Sequence, residues 1–358
     1  MIIDPETIRE IRINPIIPAE SVLIATGRDE RPGSNKERII LGERPFVEDC
    51  PFCPGNEDKT PEQIFRSPEK GQWSLRVVRN LYPAFGEDSE SSAFNMGVYN
   101  TINGYGHHEV IVDHSQHGIK VSEMSELHLA RLFQLYRDRM SNLYLANKRH
   151  VYVMIFKNFG PASGGSIPHT HSQIIAMPVI PANVEMEISN SLKFYQKHDQ
   201  CIFCTLIDEK LSYEATIHDK KRGEFLRKLN VADYFIDQNR RFIAIKPFAS
   251  RYPWEVHILP KYHCHDFRNS SVGDCAEIAS LVKSVIERLE KVLGTVQYNY
   301  FLHSAPNGVK NEKCRKSFHW HLEICPRTSI PNGFEIGSGL AINTLSPEKG
   351  ARLLREAF

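Results

Sequence analysis

Short runs of alternating or β-branched apolar residues recur along the chain. "HEVIVD", "VYVMIFK", "HSQIIAM", "RFIAIK", "EVHILP" and "HLEIC" are each bounded by turn residues, so they predict strands. Two longer stretches change period. "SEMSELHLARLFQLYRDRMSNLYLANK" and "VGDCAEIASLVKSVIERLEKVLG" carry apolar residues at helical spacing, and each falls between two predicted strands. A helix covering one face of an antiparallel sheet, twice over, is an α+β pattern. The order repeats as well. A C-x-x-C pair (Cys50, Cys53), a strand leading to His117, a helix, a strand and "HTH" are followed by Cys201 and Cys204, a strand leading to His263, a helix, a strand and "HWH". Repetition this long, in both order and chemistry, predicts tandem duplicated domains, residues 1–178 and 179–358.

The totals narrow the function classes. Among 358 residues, Lys+Arg number 44 and Asp+Glu 43, which argues against a general nucleic-acid or membrane-surface binder. With no N-terminal apolar leader pattern and no long apolar run, the expectation is a soluble, cytoplasmic chain. There are 8 cysteines, and in an unexported chain the paired spacing points to metal rather than disulfides. Thiolate and imidazole together suit tetrahedral zinc, so one or two Zn²⁺ per chain are expected: Cys50, Cys53, His117 and His169 in the first half, Cys201, Cys204, His263 and His319 in the second. His107, His108, His114 and His265 flank these positions and could replace them by a slip of register. His128, His150, His198 and His218 read as solvated. Cys264, Cys275, Cys314 and Cys325 have no paired spacing and read as packing or surface residues.

His171 shares a strand face with His169 and Gln173. Upstream lies "GPASGGS", small residues whose backbone could close on an anion. A neutral imidazole beside such a loop can attack phosphorus, with Gln173 donating to a phosphoryl oxygen. From the residues alone, His171 could equally be a further metal ligand.

"PHTHSQ", the paired C-x-x-C elements and the strand-ending histidines resemble the galactose-1-phosphate uridylyltransferase family of the histidine-triad superfamily. The likeness extends over nearly the whole chain: "IRINPIIPAESVLIATGRDERPG", "NLYPAF", "FKNFGPASGGS" and "GFEIGSGLAIN" each resemble a family segment. It implies histidine-triad-like domains and a ping-pong reaction in which His171 takes a nucleotidyl group from a nucleotide sugar and passes it to a sugar 1-phosphate. It also implies a homodimer and further substrate contacts. These fall on Arg28 and Arg31, Asn80, Asn158, the loop Gly164, Gly165 and Ser166, and Phe334 and Gly337. Some family members hold a second metal through one Glu and three His, matching Glu187, His303, His319 and His321, a set that competes with the second Cys₂His₂ site for His319. "HTH" departs from the family's usual H-P-H, and "NLYPA" and "GFEIG" resemble both some bacterial uridylyltransferases and the ADP-glucose phosphorylase branch, where adenylyl transfer would end on inorganic phosphate. A zinc-stapled nucleotide-binding protein without catalysis is the remaining alternative. In the second half Glu323 stands where Gln173 stands in the first, so that copy is expected to be silent.

Overall fold

The computed structural model describes residues 8–26, 45–87, 93–209, 214–218, 225–309 and 311–358. Its centre is one ten-stranded sheet. The first half supplies β1 (Gln63–Ser67), β2 (Leu75–Arg79), β3 (His107–Val112), β4 (Tyr152–Phe159) and β5 (His171–Met177). The second supplies β6 (Phe235–Gln238), β7 (Phe242–Ile245), β8 (Val256–Pro260), β9 (Tyr298–His303) and β10 (His321–Pro326). Across the sheet the order is β6-β7-β8-β10-β9-β4-β5-β3-β2-β1. Read outward from the centre, each half has the same order, which is what a duplication leaves.

The halves join where β4 meets β9 antiparallel, Phe156 opposite Phe301 and Asn158 opposite Asn299. Sequence patterning gives each half its own sheet; the structure fuses them edge to edge, which removes two exposed strand edges. One face of the joined sheet is covered by α1 (Glu126–Ala146) and α3 (Val272–Leu293). In α1 the buried residues include Leu129, Leu132, Phe133, Tyr136, Met140 and Leu143, an i, i+3/i+4 stripe. Ser125 caps its first turn by accepting from the His128 amide at 3.2 Å. Ser271 and Asp274 form a capping box on α3, and Gly294 ends that helix. The core beneath both helices is continuous through the two halves. Between the halves the chain forms α2 (Ala182–His198) on the way from β5 to Cys201.

Two histidines expected to be solvated are buried instead. His150 is fully buried with Nδ1 2.6 Å from the Leu143 carbonyl, and His128 places Nε2 2.6 Å from the Asp113 carbonyl. In each ring one nitrogen meets a backbone carbonyl, which offsets part of the cost of burying it. Exposed His198, at the C-terminal end of α2, matches the expectation. The His218 side chain lies outside what the structure describes. Cys264, Cys275 and Cys325 are buried packing residues and Cys314 is half-buried.

Candidate functional site

Side-chain alternation places His171 and Gln173 of β5, His108 of β3 and Asn158 of β4 on the sheet face opposite α1 and α3. The segment carrying Cys50 and Cys53 lies on that same face. Cys50 Sγ is 3.7 Å from His169 Nδ1, and Cys53 Sγ is 3.5 Å from His117 Nδ1 and 3.6 Å from His169 Nδ1. A tetrahedral ion with Zn–S of about 2.3 Å and Zn–N of about 2.0 Å would hold sulfur and nitrogen about 3.6 Å apart. The four groups are buried and can hold a metal ion. His169 Nε2 faces the His114 carbonyl at 2.7 Å, which places the proton there and leaves Nδ1 as the free lone pair toward the thiols. Burial pushes the His169 imidazole down to about 4, so it is neutral, the form a metal binds. His114 thus contributes its carbonyl and not its ring. None of the flanking histidines replaces His117 or His169.

The second half repeats this arrangement. Cys204 Sγ is 3.5 Å from His263 Nδ1 and 3.6 Å from His319 Nδ1, with Cys201 Sγ 4.0 Å from His319 Nδ1. Carbonyls again take the other ring nitrogens: Arg315 for His263 at 2.8 Å and Pro260 for His319 at 2.9 Å. These four can also hold a metal, but here Cys204 is half-buried and His263 exposed. The expected competition for His319 does not arise. His319 faces the cysteines, while Glu187, His303, His321 and Glu323 gather in a separate buried cluster that could itself hold an ion. His303 Nδ1 lies 3.0 Å from Glu187, and Glu323 is ion-paired with Arg251.

His171 is 8 % exposed. Its Nδ1 lies 2.8 Å from the His169 carbonyl, an acceptor only, so the proton sits on Nδ1 and Nε2 is left as a lone pair with no hydrogen-bond partner among the described residues. Burial, reinforced by the Lys157 ammonium, holds this imidazole below its usual value and therefore neutral. The Phe52 ring, from between the two cysteines, packs 5.3 Å from the His171 ring; Phe203 repeats the contact with His321 at 5.2 Å. The cysteine loop therefore also forms one wall of the histidine's pocket.

Beneath the strand, Lys157 donates to Asp113 at 2.5 Å, to Thr170 Oγ1 at 2.7 Å and to the His171 carbonyl at 3.1 Å. Ser172 donates to Asp113 at 2.8 Å and is bonded to Tyr136, which meets Tyr300 of the other half. Lys157 and Asp113 are both fully buried. Lys157→Met is expected to lower stability by about 3–5 kcal/mol, because the Asp113 carboxylate would be stranded in the core. Lys157→Met/Asp113→Leu should recover most of that loss. Urea melts of the three proteins would decide; a single variant as stable as the parent would mean the pair carries little.

The glycine loop differs from expectation. The Gly165 amide donates to the Gly160 carbonyl and the Gly164 amide to the Pro161 carbonyl, so both are spent inside the turn. Their role here is steric. Gly164 sits at φ +83°, and a Cβ on Gly165 would come 2.8 Å from the Asn158 carbonyl. Ser166 and Gly164 are exposed and Gly165 is half-buried. Asn158 Oδ1 is engaged by the Asn299 amide at 2.8 Å, which turns the Asn158 amide nitrogen away from Asn299. Asn80 lies 3.1 Å from His108, which in turn meets Gln173 at 2.8 Å. Phe334 and Gly337 fall on a short helix, Gly333–Ser338, none of whose residues is buried. Arg28 and Arg31 lie outside the described residues.

Sequence reasoning missed Phe52, His108, Lys157 and Asn299. The phenylalanine carried a signal, since "CPFC" and "CIFC" repeat it. His108 could have been found by counting alternation along β3. Lys157 and Asn299 act through the sheet and across the halves, and nothing local marks them.

A sheet of two fused α+β halves, each pairing a Cys₂His₂ cluster with a histidine strand, defines the histidine-triad-like class of folds. The family model for the N-terminal domain of galactose-1-phosphate uridyl transferase matches residues 2–181. The chain belongs to the galactose-1-phosphate uridyl transferase family, whose members are nucleotidyltransferases and phosphorylases acting on nucleotide sugars and sugar phosphates. It is 29% identical over 350 residues to ADP-glucose phosphorylase of Arabidopsis thaliana, covering 97% of this chain and 92% of that one. It is 26% identical over 357 residues to galactose-1-phosphate uridylyltransferase of Thermotoga maritima, covering 97% and 98%. A crystal structure of the Arabidopsis thaliana ADP-glucose phosphorylase with bound ADP-glucose superposes with a TM-score of 0.81 at 28% identity, over 98% of this chain and 99% of that one. A uridylyltransferase structure gives 0.70 at 25%, over 97% and 98%. No helix among the described residues is long and apolar enough to cross a membrane.

Proposed function

We propose that this protein transfers a nucleotidyl group from a nucleoside-diphosphate hexose, by two displacements at His171. The observation that carries the reading is the free Nε2 of a buried, neutral His171 whose Nδ1 proton is held by the His169 carbonyl. Nε2 attacks the α-phosphorus, a new N–P bond forms, the P–O bond to the β-phosphate breaks, and hexose 1-phosphate leaves. The oxygen of a second phosphate then attacks the same phosphorus and the N–P bond breaks, restoring the imidazole. As positive charge develops on the ring, the His169 carbonyl accepts from Nδ1–H and offsets it. Gln173, Asn158 and Asn80 would donate to phosphoryl and ribose oxygens, and Ser166 would complete the loop beside them.

Two readings of base and acceptor remain. Adenylyl transfer to inorganic phosphate is supported by similarity to the ADP-glucose phosphorylase over 97% of this chain. Uridylyl transfer to a hexose 1-phosphate is supported by the family match and the Thermotoga maritima relative. Intact-protein mass after mixing separately with ADP-glucose, UDP-glucose and UDP-galactose tests them, quenched under mild base to protect an N–P bond. An adenylyl adduct selects the first and a uridylyl adduct the second; no adduct with any of the three would sink both.

Zinc would be held by Cys50, Cys53, His117 and His169, and by Cys201, Cys204, His263 and His319, fixing the N-terminal segment of each half to the sheet. Because His263 is exposed and Cys204 half-buried, the second site is expected to yield its metal first. A chromogenic chelator should release zinc in two phases, and Cys204→Ser should delete the fast one. A single phase would remove the distinction. Arg28 and Arg31 would act in a homodimer, reaching the partner's nucleotide sugar, and Phe334 and Gly337 would belong to a substrate loop; light scattering at working concentration measures the oligomeric state.

A further inference from the structure

We infer that His108 is a positioning residue that sets which end of the Gln173 amide faces the reacting phosphate. The inference deepens the nucleotidyl-transfer reading and rests on it for the meaning of Gln173, but not for the geometry. The Gln173 side chain has an acceptor end and a donor end of nearly equal size, and only the donor end is useful against a phosphoryl oxygen.

The direction is fixed by a chain of three groups. The Ala84 backbone N–H lies 3.1 Å from His108 Nδ1, and a backbone amide can only donate. Nδ1 must therefore accept, and in a neutral imidazole the proton then sits on Nε2. Burial holds the His108 imidazole below its ordinary value, which keeps it neutral. His108 Nε2–H meets Gln173 Oε1 at 2.8 Å, so the amide oxygen is pinned and the NH₂ group turns toward the cleft. Asn80 Nδ2 approaches the same ring nitrogen at 3.1 Å, while the Asn80 oxygen accepts from the Tyr82 amide at 2.9 Å. With the Nε2 proton committed to Gln173, the Asn80 amide keeps its hydrogens for an incoming oxygen. The "NLYPAF" loop thus sets the polarity of Gln173 through His108.

The second half shows the same positions without this device. Val110 pairs with Gln173 in the first half, and His257 with Glu323 in the second. Two residues upstream, His108 is matched by Glu255, which accepts from Arg251 and the His257 ring. Where the glutamine is replaced, the histidine is replaced as well.

The test has two arms on the full-length protein. ¹⁵N-histidine NMR of the wild type, with the His108 signals assigned by their loss in His108→Phe, is expected to show the Nε2–H tautomer. An Nδ1–H tautomer would overturn the inference whatever the protein catalyses. The second arm is a double-mutant cycle on the rate of His171 nucleotidylation by whichever of ADP-glucose or UDP-glucose gives an adduct. His108→Phe should slow that step about 10–100-fold with zinc content unchanged. In a Gln173→Ala background the same change should cost less than about twofold, because His108 acts only through Gln173. His108→Gln, which keeps a donor, should recover part of the loss. Independent, multiplying losses would show a merely structural role. Adducts persisting in His171→Ala would instead sink the transfer reading while leaving the tautomer result standing.

Discussion

His171→Ala is expected to abolish nucleotidyl transfer, lowering turnover by about 10⁴-fold or more, while leaving fold and metal content intact. The size follows from the role. In the proposed role Nε2 forms the bond to phosphorus, and among the described residues the side chains beside it in the first half are otherwise engaged or are amides. Gln173 already has its oxygen engaged, and Asn158 and Asn80 are amides. His108 spends both ring nitrogens on Ala84 and Gln173. The fold should survive because the His171 backbone, not its ring, accepts from Lys157. Melting and zinc content near wild type, with no adduct from any nucleotide sugar, is the expected result. Retained turnover would move the nucleophile elsewhere. Added imidazole could partly restore transfer in this variant, since removal of the ring leaves a pocket walled by Phe52.

Much of this site is legible in the sequence because its chemistry uses scarce residue types at short spacing. Cys50 with Cys53, and His169 with His171, stand out, and the second half supplies a control in Cys201, Cys204, His319 and His321. The helices are legible from period alone. The joining of the two half-sheets is not legible, since β4 and β9 alternate like any other strand and main-chain pairing of two edges leaves no side-chain signature. The same applies to Asn299, which reaches Asn158 only because those edges pair. The glycine loop shows a different limit. "GPASGG" has the composition of an anion nest, but composition does not say where the amides point, and here Gly160 and Pro161 carbonyls take them. The metal sets were legible up to two ambiguities, the flanking histidines that a slip of register could substitute and the claim of two clusters on His319. Geometry resolves the second, because the ring of His319 points to the cysteines while His321, two residues on, faces Glu187 and Glu323.

Cys50→Ser is expected to produce the largest loss of stability, about 4 kcal/mol or more, seen as a fall in melting temperature of about 5 °C or more and loss of close to one zinc per chain. Binding energy at a closed metal site is folding energy, and the ligands tie distant parts of the chain together. Cys50 and Cys53 come from the N-terminal segment, His117 from the stretch after β3, and His169 from the entry to β5. Without the ion, the Cys53 thiol and the His117 and His169 rings would stay buried with their metal-facing atoms aimed at one another. Trp73 and Val112, which pack in the same small core, would lose their cover. Activity should fall with stability but for a separable reason. Phe52 sits between the two cysteines, so freeing the loop withdraws the wall that shields His171 from water. Phe52→Ala then distinguishes the two effects: zinc should remain bound, while transfer slows and the N–P intermediate hydrolyses faster. If Cys50→Ser keeps its zinc and its melting temperature, the first cluster is a pair of buried thiols beside two histidines, and the support it gives the nucleophile must come from packing alone.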